Sequence, residues 1–518
     1  MAAIMTEQSK ITFTKAEPEE VGIPSSYITK LIKRLEKNQV PMHSLLLLKN
    51  GKLITEGYYA PFEKNTLHRM YSISKSVTAL VIGILESQGK LSLEDRICSH
   101  FPEYCENRQD GKSIHPWIQE MTIRNMMMMR TCHASTTYKI NMNADWVESF
   151  FITNPTHKPG TVFHYDTSAA HVLSSLVEKI SGKNPWEFLR DTLPTLDLST
   201  DSYMLTDPFG VSLGGSGLVA TSMDILKLGY LLMENDSLNL LPKKFTHTAI
   251  QNLSPTCIAH PLPSESCGYG YMIWQNERGG FTLYGMGGQL VIVIPSLKFI
   301  CVTTADTQGM AGGNQLIYDA LYEELVDKIS YSNQESLTRI TAEQKELKRT
   351  LWDLTLSPLT EENTRIRLSN GARTVSISNP DLLCYLHSPA HYRITDASFP
   401  SCKEEGRKFT ELSIAFPSRE EGMLTLKKGD EIISLSFGMG HLVCGEFPDY
   451  QQKYAASGIW ITENTLYLRF HIIDAYMGSV RMELHFDEGS VTVFSKKIEE
   501  SLFWEYECHL NGILVDET

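Results

Sequence analysis

The chain is short of several things that would settle its class early. No stretch of its 518 residues approaches the roughly 20 consecutive apolar residues needed to cross a bilayer. The longest apolar runs, such as Val77–Leu85, have the length of core helices. The opening MAAIMTEQSK lacks the basic start and apolar stretch of a secretory signal, so no membrane partner is expected. There is no Lys/Arg-rich run either. The 47 basic and 61 acidic side chains are dispersed, and the net charge of -14 offers no basic stripe to neutralise phosphates, which excludes nucleic acid as a partner. The ten cysteines are scattered with no C-x-x-C pair, as in a cytoplasmic protein with reduced thiols. No H-E-x-x-H or similar metal-spaced cluster occurs, so a metalloprotease falls away, and no metal or cofactor is expected.

What is present is an ordinary globular composition. Hydrophobic residues make up 42% of the chain, enough for a sizeable core, and the length suits two or three domains. Residues 44–59 read as two strands around the Asn50–Gly51 turn. A helix follows from about Ser72 to Gln88, stopped near Gly89, and another from Asp166 to Ile180, stopped at Ser181–Gly182. Residues 289–305 read as two strands broken at Pro295, and Asn314–Lys328 as a closing helix. The texture changes near residue 330. Residues 331–350 suit a linker or connecting helix, and short period-two runs dominate over 351–518. Ile433, Leu435 and Phe437 share one face of a strand, as do Met482, Leu484 and Phe486. That pattern predicts an antiparallel β domain, a sandwich or a barrel. The run Met126–Met129 reads as core filling by flexible thioethers.

The chemistry begins with Ser72 and Lys75. Three residues apart on a helix, they share one face, and Ser72 stands where backbone N–H groups are unpaired. A lysine serves as base only when neutral, which at pH 7 costs roughly 4 to 5 kcal/mol against its ordinary pKa. Burial or a neighbouring cation has to remove much of that cost. The spelling alone is weak, since Ser-x-x-Lys is expected roughly twice by chance in such a chain. It does occur twice, the second time as Ser87–Lys90 at a helix end. Three further blocks add weight: "PGTVFHYDTSAAHVL" with Tyr165 before a helix, the glycine-rich "GGSGLVATSMDILKLG" leading into a helix capped near Thr221 or Ser222, and "LYGMGGQLVIVIP", a glycine turn entering a strand.

From about residue 18 to 325 these blocks, with "HSLLLLKNGKLITEGYY", "YSISKSVTALVIGILESQGKLSLED", "FPEY" and "MTIRNMMMM", stand in the order of the serine β-lactamase and penicillin-binding-protein-like hydrolases. The chain most resembles the class C β-lactamase, esterase and aminohexanoate-dimer hydrolase branch. The resemblance implies an α+β domain over 1–330, with an antiparallel sheet flanked by helices, followed by the all-β domain over 351–518. It implies Ser72 as acylated nucleophile, Lys75 as base or relay and Tyr165 as proton shuttle. Met286 would pair its N–H with that of Ser72 in an oxyanion hole, and Thr167, Gly285 and Gly287 would line the substrate site. The substrate would be a small molecule or short peptide; the sequence leaves the oligomeric state open.

Two departures stand out. Thr167 replaces the asparagine of the family's Tyr-x-Asn block, and Leu283 stands where its third block carries a cation that holds substrate carboxylates. A shift by one would put Tyr284 there instead. The loss favours an amidase or esterase over a β-lactamase or D-amino-acid peptidase, which would need another cation such as Arg130 or Lys139. A non-catalytic penicillin-binding or sensor protein is the alternative from another class. His133, His164 and Asp166 are expected near the cleft, His164 at the surface. The C-terminal domain resembles, in general arrangement only, the β-barrels appended to some D-amino-acid-specific peptidases, and is expected to border the cleft.

Overall fold

The computed structural model describes residues 10–106, 111–258, 262–329, 342–361, 389–399, 408–462, 464–499 and 502–515. The chain divides into two compact units. The first comprises Met1–Tyr59, Glu63–Thr307 and Ala311–Leu354; the second comprises Ala60–Phe62, Gln308–Met310 and Thr355–Thr518. Of the expected linker, residues 331–341 lie outside the described residues. Ala342–Trp352 is a helix of the first unit, tied to it by Gln344 Nε2 donating to Glu19 Oε2 at 2.8 Å and by a Lys348–Glu17 ion pair.

The first unit is built on a seven-stranded sheet. Its order is Thr14–Lys15, Lys52–Tyr58, Met42–Lys49, Phe299–Ala305, Gln289–Ile294, Phe281–Gly285 and Trp274–Gln275. The hairpin forms as the sequence predicts, with Asn50 and Gly51 both at positive φ. Met42–Lys49 is buried at every position, which requires cover on both faces of the sheet; its run of leucines has no polar alternation to spare for solvent. Helix Ser222–Leu238 lies against Phe299–Ala305 and Gln289–Ile294. The sheet departs from the antiparallel expectation at one edge, where Thr14–Lys15 pairs in parallel with Lys52–Leu53. A two-residue strand carries too little pattern to read its direction from sequence. Met126, Met127 and Met129 are fully buried, as core filling requires.

Helix Ile73–Ser87 is buried on all sides from Ile73 to Leu85. Its polar residues are therefore forced to find partners inside the protein, and that requirement builds the site. The closing helix runs over Gln315–Leu321, widens into one π turn at Tyr322–Val326 and ends at Asp327–Ile329.

The second unit is a closed barrel. Nine strands follow one another in the order Glu431–Met439, Glu421–Lys428, Phe409–Ala415, Ala390–Ser398, Cys508–Leu514, Ser490–Lys497, Met477–Asp487, Thr465–Ile473 and Gln452–Trp460. The last closes on the first through the parallel pairs Gly438–Ser457 and Met439–Gly458, while Val443–Phe447 pairs with the other half of Gln452–Trp460. Of the two architectures the alternation allowed, closure selects the barrel. Ile433, Leu435 and Phe437, with Met482, Leu484 and Phe486, point into its core. Among the described residues no helix is long and apolar enough to cross a membrane, and the eight cysteines are free thiols.

Candidate active site

The Ser72 turn is held in an unusual backbone shape. Tyr71, immediately before Ser72, has φ 45°, a left-handed conformation costly for a bulky residue, and its side chain is buried. Several contacts hold it. Tyr71 bridges Gly217, Met70 N donates to Leu218 O at 2.7 Å, and Ser74 Oγ donates to Tyr71 O at 2.6 Å while accepting from Leu218 N at 2.9 Å. Ser72 then stands at the N-terminal boundary of helix Ile73–Ser87 with φ -70° and ψ -5°, its side chain making no capping bond to the helix backbone.

The glycine-rich loop braces this turn from the other side with three consecutive carbonyls. Gly214 O accepts from Thr78 Oγ1 at 3.0 Å, Gly215 O from Lys75 Nζ at 2.6 Å and Ser216 O from Arg69 Nε at 3.0 Å. Such close approach leaves no room for a side chain: a Cβ on Gly215 would lie 2.6 Å from Thr167 Cγ2 and 3.1 Å from Thr167 O. The sequence marks the loop by its glycines, but its contacts with residues more than a hundred positions away carry no local signal. Helix Ser222–Leu238 follows, with Thr221 and Asp224 in a reciprocal capping box.

Lys75 is 1% exposed, and its Nζ also donates to Ser72 Oγ at 3.0 Å. Tyr165 completes the group. A hydrogen bond links it to Ser72, and Lys75 Nζ lies 4.7 Å from the centre of its ring. Burial raises the Tyr165 phenol above its ordinary pKa, and the Ser72 hydrogen bond pulls the other way. The structure thus brings Ser72, Lys75 and Tyr165 together. Thr167 begins helix Thr167–Ser181, its methyl against Gly215 and its N–H donating to Thr136 Oγ1 at 3.2 Å.

Gly285 closes against the same turn. A Cβ there would lie 2.5 Å from Met70 O, two residues before Ser72, so the backbone entering Met286 runs beside the nucleophile turn. Asn314 Nδ2 donates to Gly285 O at 3.1 Å, and Thr307 N to Gly287 O at 3.0 Å, fixing the Gly285–Gly287 turn from behind. Leu283 is fully buried in the core, so the strand presents Tyr284 to the other face, in line with period-two alternation. Tyr284 donates its hydroxyl to Glu265 Oε1. Burial and the Glu265 charge both hold the Tyr284 phenol well above its usual range.

An aromatic wall joins Tyr284 to Tyr165. Trp274 lies 5.7 Å from each ring, and Tyr269 packs edge-on to Trp274 at 4.9 Å. Nothing periodic in the sequence flags Trp274 or Glu265; strand pairing sets Trp274 beside the strand of Tyr284, and Tyr284 in turn reaches Glu265.

Other residues expected near the cleft have structural duties. His133 is 1% exposed, with Nε2 donating to Phe150 O at 2.9 Å, and burial lowers its pKa to about 4. Asp166 caps helix Thr167–Ser181, accepting from Ser168 N at 2.9 Å and Thr131 Oγ1 at 3.2 Å; burial lifts its carboxyl to about 6. His164 is exposed. Arg130 donates to Leu253 O at 2.8 Å, and Lys139 is exposed on the Thr137–Ile140 turn. Ser87 Oγ donates to Ile84 O at 2.7 Å, an ordinary helix-end contact. The chain also spells Gly-x-Ser-x-Gly over Gly210–Gly214, but Ser212 is buried and bridges Thr206 instead of standing on a strand-to-helix turn. Among the described residues no cluster of three or more His, Cys, Asp or Glu is arranged to hold a metal ion.

Comparison with known proteins gives the family of the chain. A family model described as Beta-lactamase matches residues 28–322. The 6-aminohexanoate-dimer hydrolase of Paenarthrobacter ureafaciens is 24% identical over 309 residues, 56% of this chain and 78% of that protein. Protein flp of Staphylococcus aureus (strain NCTC 8325 / PS 47) is 26% identical over 199 residues, 35% of this chain and 40% of its own length. Among solved structures, the octameric penicillin-binding protein homologue from Pyrococcus abyssi aligns over 94% of this chain and 99% of its own, with 15% identity and a TM-score of 0.46.

Proposed function

Since the chain belongs to the beta-lactamase family, we propose that it is a serine hydrolase that cleaves an amide or ester bond through an acyl-enzyme on Ser72. The observation that carries this reading is Lys75, buried and 3.0 Å from Ser72 Oγ, with Tyr165 bonded to the same hydroxyl. In its neutral form Lys75 accepts the Ser72 proton as Oγ attacks the carbonyl carbon. Negative charge then collects on the former carbonyl oxygen, and the N–H groups of Ser72 and Met286 stabilise it; losing one such donor typically costs about 100- to 1000-fold in rate. Collapse breaks the bond to the leaving group, which takes its proton through Tyr165. Water, deprotonated through the same Lys75–Tyr165 pair, attacks the acyl carbon and restores Ser72.

The departures from the family pattern support an amidase or esterase over a β-lactamase. Leu283 is sealed in the core, and Tyr284, which faces the site in its place, is bonded to a carboxylate and not to a cation. The name of the Paenarthrobacter relative, a 6-aminohexanoate-dimer hydrolase, points the same way. The test is labelling with a fluorophosphonate probe followed by peptide mass mapping. Modification at Ser72, lost in Ser72→Ala together with hydrolysis of a p-nitrophenyl ester, is the expected result. Labelling of another serine, or wild-type hydrolysis by Ser72→Ala, overturns the reading.

A further inference from the structure

One end of the barrel in the second unit holds a buried cluster of one cation and two acids. Leu424, Leu426 and Lys428 share a face of strand Glu421–Lys428, and the two leucines lie in the barrel core. The same alternation sends Lys427 outward to an ion pair with Glu411 at 2.7 Å, while Lys428 is carried inward, its side chain 11% exposed. There its Nζ donates to Asp449 Oδ2 at 2.9 Å and to Glu505 Oε1 at 3.1 Å. Asp449 stands on the turn between Val443–Phe447 and Gln452–Trp460, and Glu505 on the turn Trp504–Tyr506 before Cys508–Leu514. Register brings all three to the same end: Phe409 pairs with Lys428, Ser398 with His509, and strand Glu431–Met439 runs parallel to Gln452–Trp460.

Two carboxylates about one ammonium leave a negative charge uncompensated, which is costly where the acid side chains are 8% and 1% exposed. Glu505 has a donor for each oxygen, Lys428 Nζ on Oε1 and the Tyr450 hydroxyl on Oε2. Asp449 differs. Its Oδ1 is buried and receives no hydrogen from any described group, although the Glu505 carboxyl stands within hydrogen-bonding reach. Two ionised carboxylates cannot bond to each other, but one that keeps its proton can donate it to the other. Burial lifts the Asp449 carboxyl above its usual range, Lys428 pulls against that shift, and Glu505 adds to it. Around the cluster, exposed Glu431 lies 3.6 Å from Lys428 Nζ. The Tyr506 hydroxyl is buried with no partner among the described residues, and burial with the Asp449 and Glu505 charges holds it well above its usual range. Burial and the Glu505 charge push the Cys508 thiol up to about 12. Lys497 donates to Leu502 O at 2.8 Å, with Nζ 3.3 Å from the centre of the Trp504 ring.

We propose that Asp449 holds one proton and donates it to Glu505, making Lys428, Asp449 and Glu505 a proton-dependent latch on this end of the barrel. With the proton in place the cluster is neutral and ties strand Glu421–Lys428 to the turns that carry the two acids. When the proton leaves for solvent, the carboxylates repel each other and the turns open more readily. The folded value lies above the unfolded one of about 3.9, so this contribution is present at acid pH and lost as pH rises through the folded value.

Hydrogen exchange read by mass spectrometry on the full chain, from about pH 4 to 8 and corrected for intrinsic exchange, tests the latch. Protection over residues 445–452 and 502–508 should fall with rising pH, by up to about tenfold per unit, and level off once the proton is lost. Asp449→Asn supplies the donor permanently, so its protection should be flat and, at pH 8, equal to or above that of the wild type. Glu505→Gln removes the second charge and leaves Asp449 an ordinary partner of Lys428. Its trend should reverse, with protection falling as pH drops. Wild-type protection that does not fall over this range overturns the proposal. So does Asp449→Asn opening as readily at pH 8 as Asp449→Ala, or a Glu505→Gln trend equal to that of the wild type. Any of these leaves an ordinary ion-pair network with both acids ionised.

Discussion

Lys75 Nζ reaches Ser72 Oγ at 3.0 Å from one turn along the same helix, and in the same position donates to Gly215 O at 2.6 Å. The second contact explains why the first is so well fixed. A flexible four-carbon side chain buried at 1% exposure is pinned by a carbonyl from a loop 140 residues away, and the amine is left at hydrogen-bonding distance from the hydroxyl. Replacing Lys75 by methionine keeps the apolar stem and removes the amine. Fluorophosphonate labelling and ester hydrolysis should then slow by about 100- to 10,000-fold, the usual worth of a general base. Circular dichroism should remain that of the native protein.

Tyr165→Phe separates the phenol from the ring. Its contacts with Trp274 and Tyr269 survive, so the melting temperature should change little. The hydrogen bond to Ser72 is lost. A drop in kcat of about 100-fold with little change in KM is the expected outcome, because the group moves a proton in the transition state and does not bind substrate. A change in KM alone would argue for a packing role.

Gly215→Ala tests the loop. The new methyl would stand 2.6 Å from Thr167 Cγ2, and relief requires Gly215 to retreat, carrying its carbonyl away from Lys75. Overpacking of this kind costs about 1 to 3 kcal/mol in stability. Activity should fall by more than the stability loss explains, with native-like urea unfolding, and pairing the change with Thr167→Ser or Thr167→Ala should recover part of it.

Stability of the first unit should rise with pH between about 4 and 6.5. His68 and His133 are both held down to about 4 by burial, against an ordinary 6.5. Between these values the unfolded chain binds their protons and the folded one does not, so each histidine contributes stability present above 6.5 and lost as pH falls toward 4, about 3 kcal/mol apiece. Asp166 opposes them. Burial raises it to about 6, so over the same range the folded state holds its proton more tightly, a contribution present at acid pH and lost as pH rises, again about 3 kcal/mol. Two groups outweigh one. In His133→Gln, which keeps a donor for Phe150 O, the slope of urea midpoint against pH should flatten; in Asp166→Asn, which still caps its helix, it should steepen.

The local features of this protein were legible in its residues because their causes are local. Asn50–Gly51 makes a hairpin and Pro295 ends a strand, each through φ preferences or hydrogen bonds within a few positions, and the helix starts after Ser72 as its sequence predicts. Alternation over 432–437 and 482–486 announced two-sided strands for the same reason. The order of the Ser72, Tyr165 and Gly285 blocks was likewise enough to suggest a serine nucleophile. Only tertiary structure decided the rest. Sandwich or barrel turned on the pairing of Gly438 with Ser457, which no strand specifies alone. Whether Leu283 or Tyr284 faces the site turned on register, and a one-residue slip exchanges the two faces of a strand. Asp166 and His133 read from sequence as polar residues near the cleft, and packing gives them a helix cap and a core carbonyl as partners. Lys75 meets Gly215, and Trp274 meets Tyr165, across gaps of a hundred residues or more, where burial of polar groups and close packing choose the neighbour and sequence spacing has no say.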